Sequence, residues 1–253
     1  MKLFFTSSEN KEARLAQKKY EDKYGNCSPE ESDIIVPIGG DGFLLKTLHK
    51  YKNIQKSFYG INYGSIGFLM NKNNNNNLEE KINKSNKIQL KPLNMTAINI
   101  RSEKFSSIAF NEISLMRQTH QAAKILIEIN KIKRMNELVC DGVLVSTAAG
   151  STAYNFSAHG SILPLDSRLL ALTPISAFRP RRWRGALISE NSKIRFLVNH
   201  SQKRSVSVTA DFNEFRDITE VEIKSSDNLT FSLLFDNDNS IEEKVINEQF
   251  YSN

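Results

Sequence analysis

The chain opens with short apolar runs alternating with longer stretches whose apolar positions recur at helical spacing. KLFFTSS at 2–8 predicts a short strand, residues 9 to about 24 a charged helix, DIIVPI at 33–38 a strand too apolar to have one face in water, residues 41–52 a second helix, and SFYGIN at 57–62 a further strand. Strand and helix in turn predict an α/β layer around a mainly parallel sheet. NKNNNNN at 71–77 interrupts the alternation and reads as a solvated surface loop of low complexity.

From about residue 92 the period shortens. MTAINI, SIAFNEISLM, AKILIEI, GVLVST, KIRFLVN, RSVSVTA, EVEIK and FSLLF are short, rich in β-branched residues and often alternating, so this half is mostly β. The tail SIEEKVINEQF spaces Ile241, Val245 and Ile246 for one helical face behind Ser240 as N-cap. That helix is expected to return to the first domain. The expected division is 1–91, completed by about 236–253, for the α/β domain and 92–235 for the mostly β domain.

At 253 residues and 40% hydrophobic, the chain can bury a full core. MKLFFTSSENKEARLAQKK turns charged after a few apolar residues and no apolar run reaches the length of a membrane span, so a cytoplasmic location without a membrane partner is expected. Cys27 and Cys140 are too few for a disulfide framework and read as free thiols. His49, His120, His159 and His200 have no zinc-like spacing, and Ser151 lacks the elbow of a serine hydrolase. A formal charge of +6 is compatible with an anionic partner without identifying one.

Candidate chemistry begins at IIVPIGGDGFLLKTLH, residues 34–49, where a buried strand ends, three glycines surround one acid, and a helix begins. Open α/β sheets place ligands at such strand ends. Gly39, Gly40 and Gly42 let backbone N–H groups approach a polyphosphate. Asp41, repelled by phosphate, suits a metal ligand or a group that orients or deprotonates an attacking hydroxyl; the plainer alternative is an N-cap of the following helix. A second glycine turn, NYGSIGFLM at 62–70, brings Asn62, Gly64 and Gly67 beside the first if the two strands are neighbours, with Phe68, Leu69 and Met70 read as core. No GxxxxGK[ST] and no GxGxxG is present, which excludes a P-loop and the usual dinucleotide fingerprint.

Three further stretches bring a family into view. FNEISL carries Asn111 and Glu112, CDGVLVSTAAGSTAYNFSAHGSILP carries Asp141 and Gly142 before a strand and then a Ser/Thr/Gly-rich turn with Tyr154, and both follow GGDG and NYGSIGFL in order. Over roughly residues 34–185 this resembles the NAD kinases, which phosphorylate the adenosine 2′-hydroxyl of NAD to make NADP. The GGDG turn alone is shared with lipid and sugar kinases; DGxxxSTxxGSTAY with the Asn-Glu pair is specific.

The resemblance implies an N-terminal α/β domain, a sandwich-like C-terminal β domain, homodimers or homotetramers, and a divalent cation, Mg²⁺ or Mn²⁺, beside ATP (or another nucleoside triphosphate or polyphosphate) and NAD. It implies that Asp41 orients the 2′-hydroxyl and acts as base, that Asn111 and Glu112 hold ribose or adenine, that Asp141 contacts the second nucleotide portion of NAD, and that Thr152, Ala153, Tyr154 and Ser157 line the adenine and nicotinamide pocket. Without the motif, Tyr154 reads first as a core aromatic, and with it as a ligand contact. Asp211 is carried over weakly, because Phe212 follows it where relatives have glycine or histidine. Phe43 stands where many relatives have threonine, and His159 where glycine is common. No metal ligands are assigned.

FRPRRWRG at 178–185 gathers Arg179, Arg181, Arg182 and Arg184 around Trp183, a cluster suited to the ATP triphosphate or a subunit interface and, below these, to nucleic acid. Two other functions stay open on the residues: a lipid or sugar kinase using the same GGDG turn, and a non-catalytic sensor of NAD(P).

Overall fold

A computed structural model describes residues 1–64, 67–73 and 77–237, together with Lys244 and Ile246. The chain divides into two compact units, Met1–Leu90 with Thr230–Asn253, and Lys91–Leu229.

In the first unit, β1 (Leu3–Ser7) leads to α1 (Lys11–Tyr24), whose N-cap Asn10 accepts from the Glu12 amide at 2.9 Å and whose end is turned by Gly25 at φ 74°. β2 (Ile34–Gly39) is buried along its whole length, as its unbroken apolar run requires. α2 (Asp41–Lys50) follows, two residues shorter than its periodicity predicts. The SFYGIN strand is split into β3 (Ser57–Phe58) and β4 (Ile61–Asn62), both parallel to β2. α3 (Leu78–Lys84) and β5 (Asn86–Leu90) complete this part.

The second unit is built from β6 (Leu93–Asn99), β7 (Lys104–Ala109), β8 (Glu112–Arg117), β9 (Ala123–Ile129), β10 (Ile132–Cys140), β11 (Gly142–Ser146), the short helix α4 (Tyr154–Ser157), β12 (Leu169–Ile175), β13 (Ala186–Ser189), β14 (Ile194–Val198), β15 (Val206–Ala210), β16 (Asn213–Phe215) and β17 (Ile218–Ser225). Two antiparallel six-stranded sheets, β10-β9-β14-β17-β6-β7 and β13-β12-β11-β8-β15-β16, enclose one core. Met95, Ile125, Phe196 and Val221 meet Ile113, Leu115, Val143 and Val208 in it, all with almost no exposed surface. That is a β-sandwich. The stretch SIAFNEISLM, expected as one strand, is two: β7 and β8 lie in different sheets, and the chain crosses between them at Phe110 and Asn111.

A second correction concerns FSLLF. The expected boundary assigned it to the mostly β half, but β18 (Phe231–Phe235) lies in the first unit's sheet, parallel to β3 and antiparallel to β5. Four of its five residues are buried, the requirement of an inner strand rather than of a sandwich strand with one wet face. Asn71 helps hold it there. Its side chain donates to the Leu234 carbonyl at 2.9 Å and accepts from the Asp236 amide at 2.9 Å, while Tyr59 and Lys81 donate to the Asp236 carboxylate. Asn71 is thus fully buried, and the expected surface loop of asparagines begins only after it; residues 74–76 lie outside those described, as do Ser240, Ile241 and Val245 of the expected final helix.

Candidate active site

The glycine-rich aspartate turn lies at the end of β2, as its sequence predicts, but Asp41 is not the cap of α2. Gly40 occupies the N-cap position and Asp41 is the first helical residue. Its carboxylate reaches across to the second glycine turn, where Oδ2 accepts from the Phe68 amide at 2.8 Å and Oδ1 from the Leu69 amide at 3.1 Å. Burial pushes the Asp41 carboxyl above the ordinary carboxylate range, against the lowering pull of those two amides and of the Lys244 ammonium.

The two glycine turns touch. β4 runs beside β2 with Asn62 opposite Gly39, and the Tyr63 amide donates to the Gly39 carbonyl at 2.8 Å. A Cβ on Gly64 would stand 3.0 Å from the Gly40 Cα, so two backbones approach where no side chain fits. Asn62 closes its own turn by accepting from the Gly64 amide at 2.9 Å, and its amide group packs against Gly67. Gly42 is exposed, with open space where its Cβ would be. Room for a ligand therefore adjoins the N-terminus of α2, whose amides favour negative charge.

Lys244 was not singled out by sequence reasoning, because no motif surrounds it. Its Nζ donates to the carbonyls of Gly67 at 3.1 Å, Phe68 at 3.4 Å and Met70 at 2.6 Å.

In the second unit, Asn111 and Glu112 stand at the crossing from β7 to β8. Asp211, at the end of β15 and at φ 52°, receives the Phe110 amide on Oδ2 at 2.7 Å and the Asn111 amide on Oδ1 at 2.9 Å. From the other side, the Thr147 amide donates to the Asn111 carbonyl at 2.9 Å and the Thr147 hydroxyl to the Phe110 carbonyl at 2.6 Å. The single 3-10 turn Ala149–Thr152 lies so close to Asn111 that a Cβ on Gly150 would collide with the Asn111 backbone. This fixes the backbone and leaves the side chains wanting partners. Asn111 Oδ1 and Glu112 Oε2 are buried without a hydrogen bond. Burial and, secondly, the Asp211 charge push the Glu112 carboxyl up to about 8. Orphaned buried polar atoms are costly, and native folds keep them where a bound molecule, an ordered water or a functional demand accounts for them.

Thr152 and Ala153 are half-buried ahead of α4, and Ser157, at its end, is exposed. Tyr154 is 36% exposed, which removes the core reading of its ring, and its hydroxyl approaches Met116 Sδ at 3.5 Å. Burial, then the charges of Glu112 and Asp141, raise its phenol, so it lies in the field of both acids. Asp141 is paired with Arg117, Nε to Oδ1 at 2.6 Å, a partner that sequence reasoning missed because β8 and β11 had first to be known as neighbours. His159 keeps the left-handed backbone, φ 62°, that glycine would adopt freely. Arg179, Arg181, Arg182 and Arg184 are exposed, with the Arg179 and Arg181 guanidinium groups 5.6 and 5.2 Å from the Phe178 ring centre, while Trp183 packs on the sandwich core and is not presented for stacking.

The comparisons decide between the readings. The ATP-NAD kinase C-terminal domain family matches residues 110–230. The NAD kinase of Caulobacter vibrioides is 48% identical over 249 residues, covering 98% of this chain and 96% of that protein. The chain belongs to the NAD kinase family. The NAD kinase of Rickettsia felis is 49% identical over 227 residues, 90% of this chain and 89% of its own. Among solved structures, yeast NADH kinase complexed with NADH superposes with a TM-score of 0.82 at 19% identity, covering 100% of this chain and 89% of that one. An Archaeoglobus fulgidus NAD kinase in complex with ATP gives 0.80 at 22%, covering 97% and 99%. At these identities the structural likeness establishes the NAD kinase fold, and the relatives by sequence establish the family.

Proposed function

We propose that the protein is a NAD kinase that moves the terminal phosphoryl group of ATP, or of another nucleoside triphosphate or polyphosphate, to the 2′-hydroxyl of the adenosine ribose of NAD, giving NADP. Family membership supports the reaction. One observation supports the assignment of residues: Asn111 Oδ1 and Glu112 Oε2 are two buried, unpartnered acceptors on a backbone held rigid by Asp211 and Thr147. Ribose hydroxyls or the adenine amino group supply the donors these atoms lack.

Asp41 is the residue for the reacting hydroxyl. Each of its oxygens accepts one backbone amide and keeps a lone pair for the 2′-hydroxyl. A carboxyl raised by burial is closer to the pKa a general base needs at neutral pH. In the transfer, the bond from the γ-phosphorus to the leaving diphosphate oxygen breaks, a bond from that phosphorus to the ribose 2′-oxygen forms, and the hydroxyl proton passes to Asp41. Amides at the N-terminus of α2, at Gly40 and Gly42, are assigned to donate to phosphate oxygens, with Gly39, Asn62, Gly64 and Gly67 shaping the two turns.

Among the described residues no group of three or more His, Cys, Asp and Glu is placed to hold a metal ion. The divalent cation, Mg²⁺ or Mn²⁺, is assigned to the donor's phosphates, whose charge it would neutralise. Asp211 is given a positioning role, since its carboxylate serves the Asn111 backbone. Asp141, Thr152, Ala153, Tyr154 and Ser157 are given to NAD, and Arg179, Arg181 and Arg182 to the ATP triphosphate or to the interface of a homodimer or homotetramer. No described helix is long and apolar enough to cross a membrane, and the two free thiols suit a reducing, cytoplasmic setting.

The test is to incubate purified protein with NAD, ATP and Mg²⁺ and to read NADP with an NADP-specific dehydrogenase, with Asp41→Asn alongside. NADP from the wild type and a loss of at least about a hundredfold in kcat in the variant is expected. Dinucleotide binding by both proteins with no NADP from either would turn the reading to a sensor.

A further inference from the structure

We propose that Lys244 is a positioning residue for Asp41, acting through two peptide groups that the two side chains share. The inference rests on the assignment of Asp41 above. The peptide joining Gly67 to Phe68 has its carbonyl 3.1 Å from Lys244 Nζ and its N–H on Asp41 Oδ2 at 2.8 Å. The next peptide, joining Phe68 to Leu69, has its carbonyl 3.4 Å from the same Nζ and its N–H on Asp41 Oδ1 at 3.1 Å. The Met70 carbonyl, at 2.6 Å, is the ammonium's third acceptor.

In a trans peptide the C=O and N–H bonds point in opposite directions in one rigid plane. A cation at the oxygen end and a carboxylate at the hydrogen end therefore lie along the same dipole. Each strengthens the other's hold, because hydrogen bonds in series polarise one another. Both Asp41 oxygens are fixed in this way, so the plane of the carboxylate, and with it the lone pairs left for a hydroxyl, is set by a turn that Lys244 clamps from behind. Three donors on an ammonium match three converging carbonyls.

The charges around Lys244 support the arrangement. Burial brings the ammonium down to about 8, Asp41 and Asp236 favour its charged form against that, and Lys72 opposes it. Lys244 in turn lowers the Asp41 carboxyl. Removing the cation should then move the acidic limb of kcat, which reports ionisation of the base, to higher pH.

Steady-state kinetics of the wild type, Lys244→Met, Lys244→Arg and Asp41→Asn test the proposal. In Lys244→Met, kcat is expected to fall about tenfold with the KM values for NAD and ATP within about twofold, as for an interaction that acts on the transition state, and the acidic limb to move up. Lys244→Arg should recover most of kcat. Wild-type kcat and an unmoved limb in Lys244→Met would overturn the proposal, as would equal losses in both variants. An active Asp41→Asn would remove the assignment of Asp41 together with this inference, whereas an inactive Asp41→Asn beside an unaffected Lys244→Met removes only the inference.

Amide hydrogen exchange gives a check that does not need the Met variant to fold. Protection of the Phe68 and Leu69 amides in the wild type, corrected for intrinsic rates, should fall as pH rises through about 8 and stay level in Lys244→Arg, whose guanidinium keeps its proton. The same profile in both proteins would overturn the proposal.

Discussion

Asp211 and Glu112 are neighbours joined in opposite senses: the Asp211 amide donates to the Glu112 carbonyl at 3.2 Å, while the Asp211 charge resists ionisation of the Glu112 side chain. Backbone attraction and side-chain repulsion coexist because the Asp211 carboxylate is turned to the amides of Phe110 and Asn111. The result, with burial as the larger cause, is an acid held in place whose ionised form is disfavoured.

Ligand-free stability should therefore fall as pH rises. The Glu112 carboxyl lies at about 8 in the folded protein against an ordinary 4.5, so between these limits the unfolded chain has released a proton that the folded chain retains. Each pH unit in that window costs at most about 1.4 kcal/mol, and the loss levels off above the folded value. Urea unfolding of Glu112→Gln against wild type at several pH values should show the steeper fall in the wild type, with the part due to Asp41 common to both.

Asp211→Asn removes the charge that raises Glu112 and one of two matched acceptors at the crossing. The falling part of the pH–stability curve should end at a lower pH, and KM for NAD should rise several-fold as the turn loosens. Stability titrations and initial rates measure the two effects separately. A higher KM without movement of the curve would assign Asp211 to direct contact with NAD.

Gly150→Ala places a methyl group against the Asn111 backbone, which is pinned on both sides and cannot retreat. A destabilisation of about 2 kcal/mol is expected, in the range for overpacking, with weaker NAD binding. Denaturant midpoints and titration calorimetry read the pair. Alanine tolerated with unchanged NAD affinity would mean that the Asn111 position does not matter for binding.

His159→Gly sets two backbone effects against each other. Relief of a left-handed histidine at φ 62° is worth about 1–2 kcal/mol, and the added freedom of the unfolded chain costs about 0.4–1 kcal/mol. A net gain of about 0.5–1 kcal/mol in unfolding free energy should follow, with kcat unchanged.

The GGDG turn, the second glycine turn and the Asn-Glu pair were legible in the sequence because each is written in neighbouring residues. Backbone needs such as close approach at Gly40 and Gly150 select residue types locally. Periodicity likewise gave the buried β2 and the change from α/β to β. It misplaced FSLLF, since a five-residue run with four apolar positions suits any inner strand and the choice of sheet depends on which edge, between β3 and β5, is free to receive it.

What the sequence determined by itself was the family, and with it the candidates for reacting and recognising groups. What only the tertiary structure decided was who holds them: the Phe68 and Leu69 amides for Asp41, Lys244 behind those amides, Asp211 for Asn111, Arg117 for Asp141. The physical reason is that a peptide N–H or C=O is the same at every residue. Its partner is chosen by where folding brings the backbone, so no side-chain pattern records the choice.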